Sequence, residues 1–358
     1  MQLIAAGLIC RSVAGGATVM TGEWRIALFF LGVLAIIWAT LAAVGVFPFR
    51  PYSYLSNFFL YFSAWFFFAA AQVLHSLYRH RPDRPIRFVR DTLFGPAYRR
   101  RLAQSAPLLI AVVLFMPGFS AMKSAIPLFN DYGWDQRFIN LDLALHGQDP
   151  WRILQPLLGH PLITSAMSVA YHLWILLIYA GTIFFALHVD DRTLRQRYFA
   201  AFFGIWTVNG VVLATLFASV GPCFLEPMTG NAHFADQMAY LLRANEIYPV
   251  MVVDVQQQLI AWHASGSHGL GRGISAMPSM HVALAFLFFL AIRKVGRALG
   301  IVFFLFFLLT LIGSVHLAYH YAVDGYVAIV TTAIIWVFCG ALFQRRRTAA
   351  QLESLNPA

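Results

Sequence analysis

Two short segments of the 358-residue chain hold the side chains best suited to chemistry. The first reads Ser275-Ala276-Met277-Pro278-Ser279-Met280-His281, and the second runs from His316 through His320 to Asp324. His320 and Asp324 are four apart, which sets them on one face of a helical turn. A carboxylate there can accept from one imidazole nitrogen, fix the tautomer and leave the other nitrogen as a nucleophile. His281 falls in the first turn of a helix that Pro278 would open, a favoured place for a residue without an N–H. The N–H groups of Ser279, Met280 and His281, with the Ser279 hydroxyl, would face an anion at that helix end. Protonated His281 would serve as general acid toward a leaving oxygen. Nucleophile, orienting carboxylate, acid and anion cradle together fit phosphoryl transfer.

The elements that must position these groups are membrane spans. The chain is 60% hydrophobic and 11% charged, against about a quarter charged in soluble proteins. Apolar blocks near the roughly 20 residues a spanning helix needs occur at about 26–46, 55–78, 105–127, 164–188, 198–220, 278–292, 299–319 and 321–343. The sixth is short. The runs are continuous rather than alternating, which excludes a strand barrel. The expectation is an all-α polytopic membrane bundle of about eight transmembrane helices in one domain. Residues 1–104 would hold two N-terminal spans and a basic loop, and residues 105–345 a catalytic core of six helices.

With eight spans both termini share a side. That side collects 19 of the 25 basic residues, eight of them arginines between 79 and 101. The positive-inside rule makes it cytoplasmic, so the net charge of +10 reads as topology and contact with anionic lipid, not nucleic acid. The 79–101 segment is expected to carry an amphipathic helix on the headgroups, with a solvated basic loop as the alternative. His281 and His320 then meet at the outer face, since the two spans between them form a hairpin. Residues 128–163 and 221–277 lie on that face as long loops, a length associated with function. The first 22 residues read as an interfacial cytoplasmic tail. Cys10, Cys223 and Cys339 lie too far apart for a disulfide framework or metal spacing.

The two segments resemble the type 2 phosphatidic acid phosphatase superfamily, within it the branch of inositol phosphorylceramide synthases and related lipid phosphotransferases. The resemblance rests on Met277-Pro278-Ser279-Met280-His281 and His320-Tyr321-Ala322-Val323-Asp324. It implies that His320 becomes a phosphohistidine, that Asp324 supports it, and that His281 is the acid and later the base. It also implies a phospholipid donor, a lipid hydroxyl acceptor and no cofactor. Three departures point away from the phosphatase branch. Met280 replaces the glycine of the usual P-S-G-H, Gly313-Ser314 stands where Ser-Arg is usual, and Lys123 is followed by Pro127 without an Arg-Pro. A phosphate-binding cation must then come from elsewhere: Lys123, Arg137 and Arg272 are the candidates, with Arg243 behind them and His316 assisting.

Other readings stand beside these. His316 and His320 at i, i+4 could ligate zinc, but no third ligand shares their face, so no metal is expected. His172 and Asn209 are either helix-to-helix hydrogen-bond partners or cavity residues. Three function classes remain: a lipid phosphotransferase moving a phosphorylated headgroup such as phosphoinositol to a ceramide-like alcohol, a lipid or polyprenyl phosphate phosphatase, and a transporter with an ionisable relay. A relay would thread charges across the bilayer, whereas these groups sit at one level.

Overall fold

The computed structural model describes residues 22–47, 49–265 and 273–355, with side chains as far as Gln344. The N-terminal tail with Cys10, and Arg272 among the expected phosphate ligands, lie outside the described residues. The structure is a helical membrane bundle. Its first helices are α1 (Gly22–Ala43), α2 (Pro51–His80), α3 (Pro85–Phe94) and α4 (Pro96–Ser124). Helix α1 packs along α4, and α2 along α4 and the later α7. Pro107 and Pro117 lie inside α4, an arrangement tolerated in membrane helices because neighbours re-satisfy the freed carbonyls. Helix α3 buries no residue, and Ile86 is 87% exposed beside Arg84, Arg87 and Arg90.

The segments expected as long loops are largely helical, which corrects that reading. Residues 128–163 contain α5 (Asp135–His146) and α6 (Pro150–Leu158), and the spans α7 (Pro161–Leu187) and α8 (Arg192–Leu216) follow. Residues 221–277 contain α9 (Pro222–Thr229), α10 (Ala235–Ile247) and α11 (Met251–Ala264). Pro150, Pro161 and Pro222 each stand in the first turn of their helix, where the missing N–H costs nothing. The bundle closes with α12 (Met280–Ile292), α13 (Arg297–His316) and α14 (Ala322–Leu355).

Among the described residues seven helical runs are long and apolar enough to cross a membrane, which makes this an integral membrane protein. The sixth expected span, 278–292, is the 13-residue α12. At 1.5 Å per residue it covers about 20 Å, less than the roughly 30 Å hydrocarbon core. It can be short because other helices enclose it. Helix α12 packs on α7, α8, α13 and α14, and Val282, Ala283, Leu284, Ala285, Leu287 and Phe288 are all buried. A helix apolar on every side is one surrounded by protein or lipid; here protein does it.

Buried polar side chains tie the short helices to the turns between spans. Asp135 accepts from the Val220 and Gly221 N–H groups at 3.0 Å each and from the Tyr321 hydroxyl at 2.7 Å. Asp142 caps the start of α14, accepting from Ala322 N–H at 2.8 Å and Val323 N–H at 3.0 Å. The Gln237 amide donates to the Val315 carbonyl at 2.8 Å and the Gln256 amide to Leu317 at 2.9 Å. Donors and acceptors of the α13–α14 turn are thus matched from outside, as buried backbone groups require. Asp149, the third of the loop acids, accepts from His233 Nε2 at 2.8 Å.

Candidate active site

The turn between α13 and α14 presents His320. Its chain reverses at Ala318, whose φ of 59° is left-handed, and the Tyr319 and His320 N–H groups both donate to the Ser314 carbonyl. Gly221 packs into this reversal with φ 89°: a Cβ there would sit 2.7 Å from the Tyr319 carbonyl oxygen and 3.1 Å from Ala276 Cβ. Only glycine satisfies both demands. The His320 ring then meets Asp324 one turn on, Nδ1 to Oδ2 at 3.2 Å. Asp324 is fully buried and His320 is 6% exposed. The same Oδ2 accepts from the Tyr321 N–H at 3.1 Å. An ionised carboxylate only accepts, so the proton of this pair sits on Nδ1 and Nε2 carries the lone pair.

His281 comes from the start of α12. A non-helical strip, Ile274–Ser279, leads into it and is pinned by the Ser219 carbonyl accepting from Ala276 N–H at 3.0 Å and the Ser219 hydroxyl accepting from Met277 N–H at 3.2 Å. Ser279 is the N-cap: its side chain accepts from Val282 N–H at 3.4 Å, and its own N–H donates to the Asp324 carbonyl at 3.2 Å. Two expectations change here. The helix opens at Met280 rather than Pro278, and the Ser279 N–H is engaged by the Asp324 carbonyl rather than turned to an anion, while the Ser279 hydroxyl, an acceptor here, keeps its O–H to donate. The Met280 and His281 N–H groups remain at the helix end.

The two histidine rings lie 6.0 Å apart between centroids, edge to face at 62°. His281 also rests against Tyr171 at 4.5 Å and 21° and against Trp174 at 4.0 Å and 33°. Its ring makes no hydrogen bond among the described residues.

The expected phosphate ligands separate. Lys123, in the last turn of α4, is close enough for its charge to act on His281, as are His172 and His320. Gly273 fits beside it with φ 103°, where a Cβ would lie 3.0 Å from Ser124 Cα and 3.1 Å from the Lys123 carbonyl carbon. Arg137 is exposed and lies over the Trp134 ring at 4.3 Å. Arg243 is exposed on α10. Arg152 pairs with Asp236 at 2.8 Å and Asp149 at 3.5 Å. His316 is 1% exposed and bonds through Nε2 to Thr164 Oγ1 at 2.9 Å, which in turn meets the Tyr240 hydroxyl at 2.6 Å. That places it in a packed hydrogen-bond chain between α7, α10 and α13. His172 Nδ1 donates to the Ser168 carbonyl at 2.8 Å, and Asn209 sits in a π-helical turn of α8 with both side-chain amide atoms unpartnered among the described residues. No three His, Cys, Asp or Glu side chains among the described residues gather as metal ligands.

Outside the spans, burial raises the Asp142 carboxyl above the ordinary carboxylate range, against the pull of its two amide donors. Burial likewise pushes the Cys223 thiol well up, which makes it a packing group rather than a nucleophile.

A family model described as the PAP2 superfamily matches residues 136–338, more than half of the chain and inclusive of His281, His320 and Asp324. The chain belongs to the PAP2 superfamily. No curated protein and no solved structure matches it significantly. Membership in this superfamily of phosphatase- and phosphotransferase-type lipid enzymes leaves two groups at the site without a sequence precursor. Asp135 and Asp142 read as loop acids because their partners are main-chain amides of remote segments. Tyr171 and Trp174 flank His172, which was visible, but aromatic residues make up 16% of the chain and two more carried no signal.

Proposed function

We propose that this protein is a membrane lipid phosphotransferase of the inositol phosphorylceramide synthase-like kind, working through a phosphohistidine on His320. The observation that carries the reading is the His320–Asp324 bond at 3.2 Å with the His281 ring 6.0 Å away. Asp324 holds the proton on Nδ1 and directs the Nε2 lone pair to phosphorus. As the N–P bond forms, the P–O bond to the donor alcohol breaks, and imidazolium His281 gives that oxygen its proton. Neutral His281 then takes the proton of an acceptor hydroxyl, which attacks phosphorus and returns His320 as leaving group. Lys123 meets the phosphate charge, a role in which one positioned cation contributes much of the transition-state stabilisation. Oxygen-rich ligation of the Mg²⁺ kind has no part in this scheme. The basic flank of the bundle faces the cytoplasm, with both termini, and the histidines face the opposite side.

The altered signatures favour a lipid alcohol over water as acceptor; with water the same steps make a phosphatase. The test is incubation with headgroup-labelled phosphatidylinositol in EDTA, with and without a ceramide-like alcohol, in sealed vesicles of each orientation. The expected outcome is labelled headgroup on the alcohol, only where substrate reaches the face opposite the basic flank. Free phosphate or free headgroup phosphate as the sole product would make it a phosphatase. Activity that vanished in EDTA and returned with Mg²⁺ or Zn²⁺ would remove the metal-free scheme.

A further inference from the structure

His281 and His320 are held in different ways, and the difference is a property of the rings around them. His320 is fixed by a hydrogen bond to a buried carboxylate. His281 has no such partner, yet a general acid must keep its N–H aimed at one oxygen within about 3 Å. What touches it is aromatic. Tyr171 and Trp174 are three apart on α7, so they share a face, and His281 lies against both. The stack continues to Tyr319, which is 5.4 Å from Tyr171 at 10° and 6.1 Å from His281 at 22°. Tyr319 is the residue before His320 in the chain.

The rings on α7 are held by their faces. Neither the Tyr171 hydroxyl nor the Trp174 indole N–H has a hydrogen-bond partner among the described residues. Near-parallel aromatic rings attract beyond their area burial, and an imidazolium over an aromatic face gains cation–π attraction as well. Resting on the mechanism above, we infer that Tyr171 and Trp174 are positioning residues: with Tyr319 they form a stack that fixes the His281 ring plane and sets its distance from the nucleophile. The phosphoryl group must fit between the two imidazoles, so this distance decides whether attack and protonation occur on the same bound substrate. A displacement of about 1 Å in such an arrangement costs on the order of 10²-fold in rate.

The experiment compares Trp174→Leu, Trp174→Phe, Tyr171→Leu and Tyr171→Phe with two donors of the same phosphoryl class, one leaving as an alkoxide and one as a nitrophenolate. The nitrophenolate needs no proton to leave, so its pre-steady-state burst, which precedes the step in which His281 acts as base, also reports that the variant is folded. With the alkoxide donor, Trp174→Leu and Tyr171→Leu are expected to lower kcat about 10- to 100-fold with KM within about 2-fold. The burst rate of nitrophenolate release should stay within about 3-fold of the parent, and both Phe variants should recover most of the alkoxide rate. Equal loss with both donors, or Phe variants as poor as Leu variants, would overturn the positioning role. Failure of the underlying mechanism looks different: His320→Ala would still accumulate phosphoenzyme, whatever the stack variants do.

Discussion

The two ends of the chain solve the membrane problem differently. In the N-terminal part, α2 turns almost all of its surface outward: Phe58, Phe62, Phe66 and Phe67 are all exposed. Its stability in lipid asks only for apolar side chains and internal backbone hydrogen bonds. Its ionic contacts lie at the edges, where Glu23 receives Arg192 at 2.7 and 2.5 Å and Arg101 pairs with Asp190. In the matched region, 136–338, and in Asp135 just before it, the turns and short helices are stitched by Asp142, Gln237, Gln256 and Ser219 to main-chain groups far away in sequence. Spanning a bilayer needs composition; placing the backbone segments that carry two imidazoles needs directional bonds.

The largest expected effect breaks the comparison at its sharpest point. His320→Ala should abolish the covalent phosphoenzyme, and Asp324→Asn should lower kcat about 10³- to 10⁴-fold while leaving the fold intact, as when an orienting carboxylate no longer selects the tautomer. Acid-quench trapping of labelled phosphoprotein reads both; a trapped adduct in His320→Ala would move the nucleophile elsewhere. A smaller effect is expected from Asp135→Ala, which leaves the Val220 and Gly221 N–H groups and the Tyr321 hydroxyl unmatched. Thermal unfolding in detergent should show a loss of about 1–3 kcal/mol, with activity falling alongside. An unchanged melting temperature would mean the stitching is not what holds the turn. The smallest is Phe67→Leu on the lipid-facing side of α2, which should stay within about 0.5 kcal/mol of the parent.

Legibility followed the same division. Seven of the spans were readable because apolar length is a local property, and the His320–Asp324 pair because i, i+4 geometry is local too. The meeting of His281 with His320 followed from hairpin arithmetic alone. The sixth block, 278–292, was readable as short, and α12 can stop early because protein rather than lipid wraps it. The loops at 128–163 and 221–277 misled: their polar residues, such as Asp142 and Gln237, face inward to main-chain groups rather than outward to water. Lys123 could be shortlisted with Arg137 and Arg243, but only packing separates them. Lys123 closes one end of α4 beside Gly273, while the other two point to solvent. No sequence pattern announces that an imidazole will be held by aromatic faces.

The strip Ile274–Ser279 has a consequence for how the protein is made. Its backbone is not helical, so it cannot satisfy its own amides, and each one left buried and bare costs about 1–3 kcal/mol. Its partners are Ser219, made earlier, and the Asp324 carbonyl, made 45 residues after Ser279. The Ser279 N–H can therefore be matched only once residue 324 has been made and packed against the strip, while the Ala276 and Met277 N–H groups can be matched by Ser219 before that. A chain truncated before Asp324 is expected to leave that one amide bare at the mouth of α12, and limited proteolysis between Ile274 and Ser279 in detergent would read it.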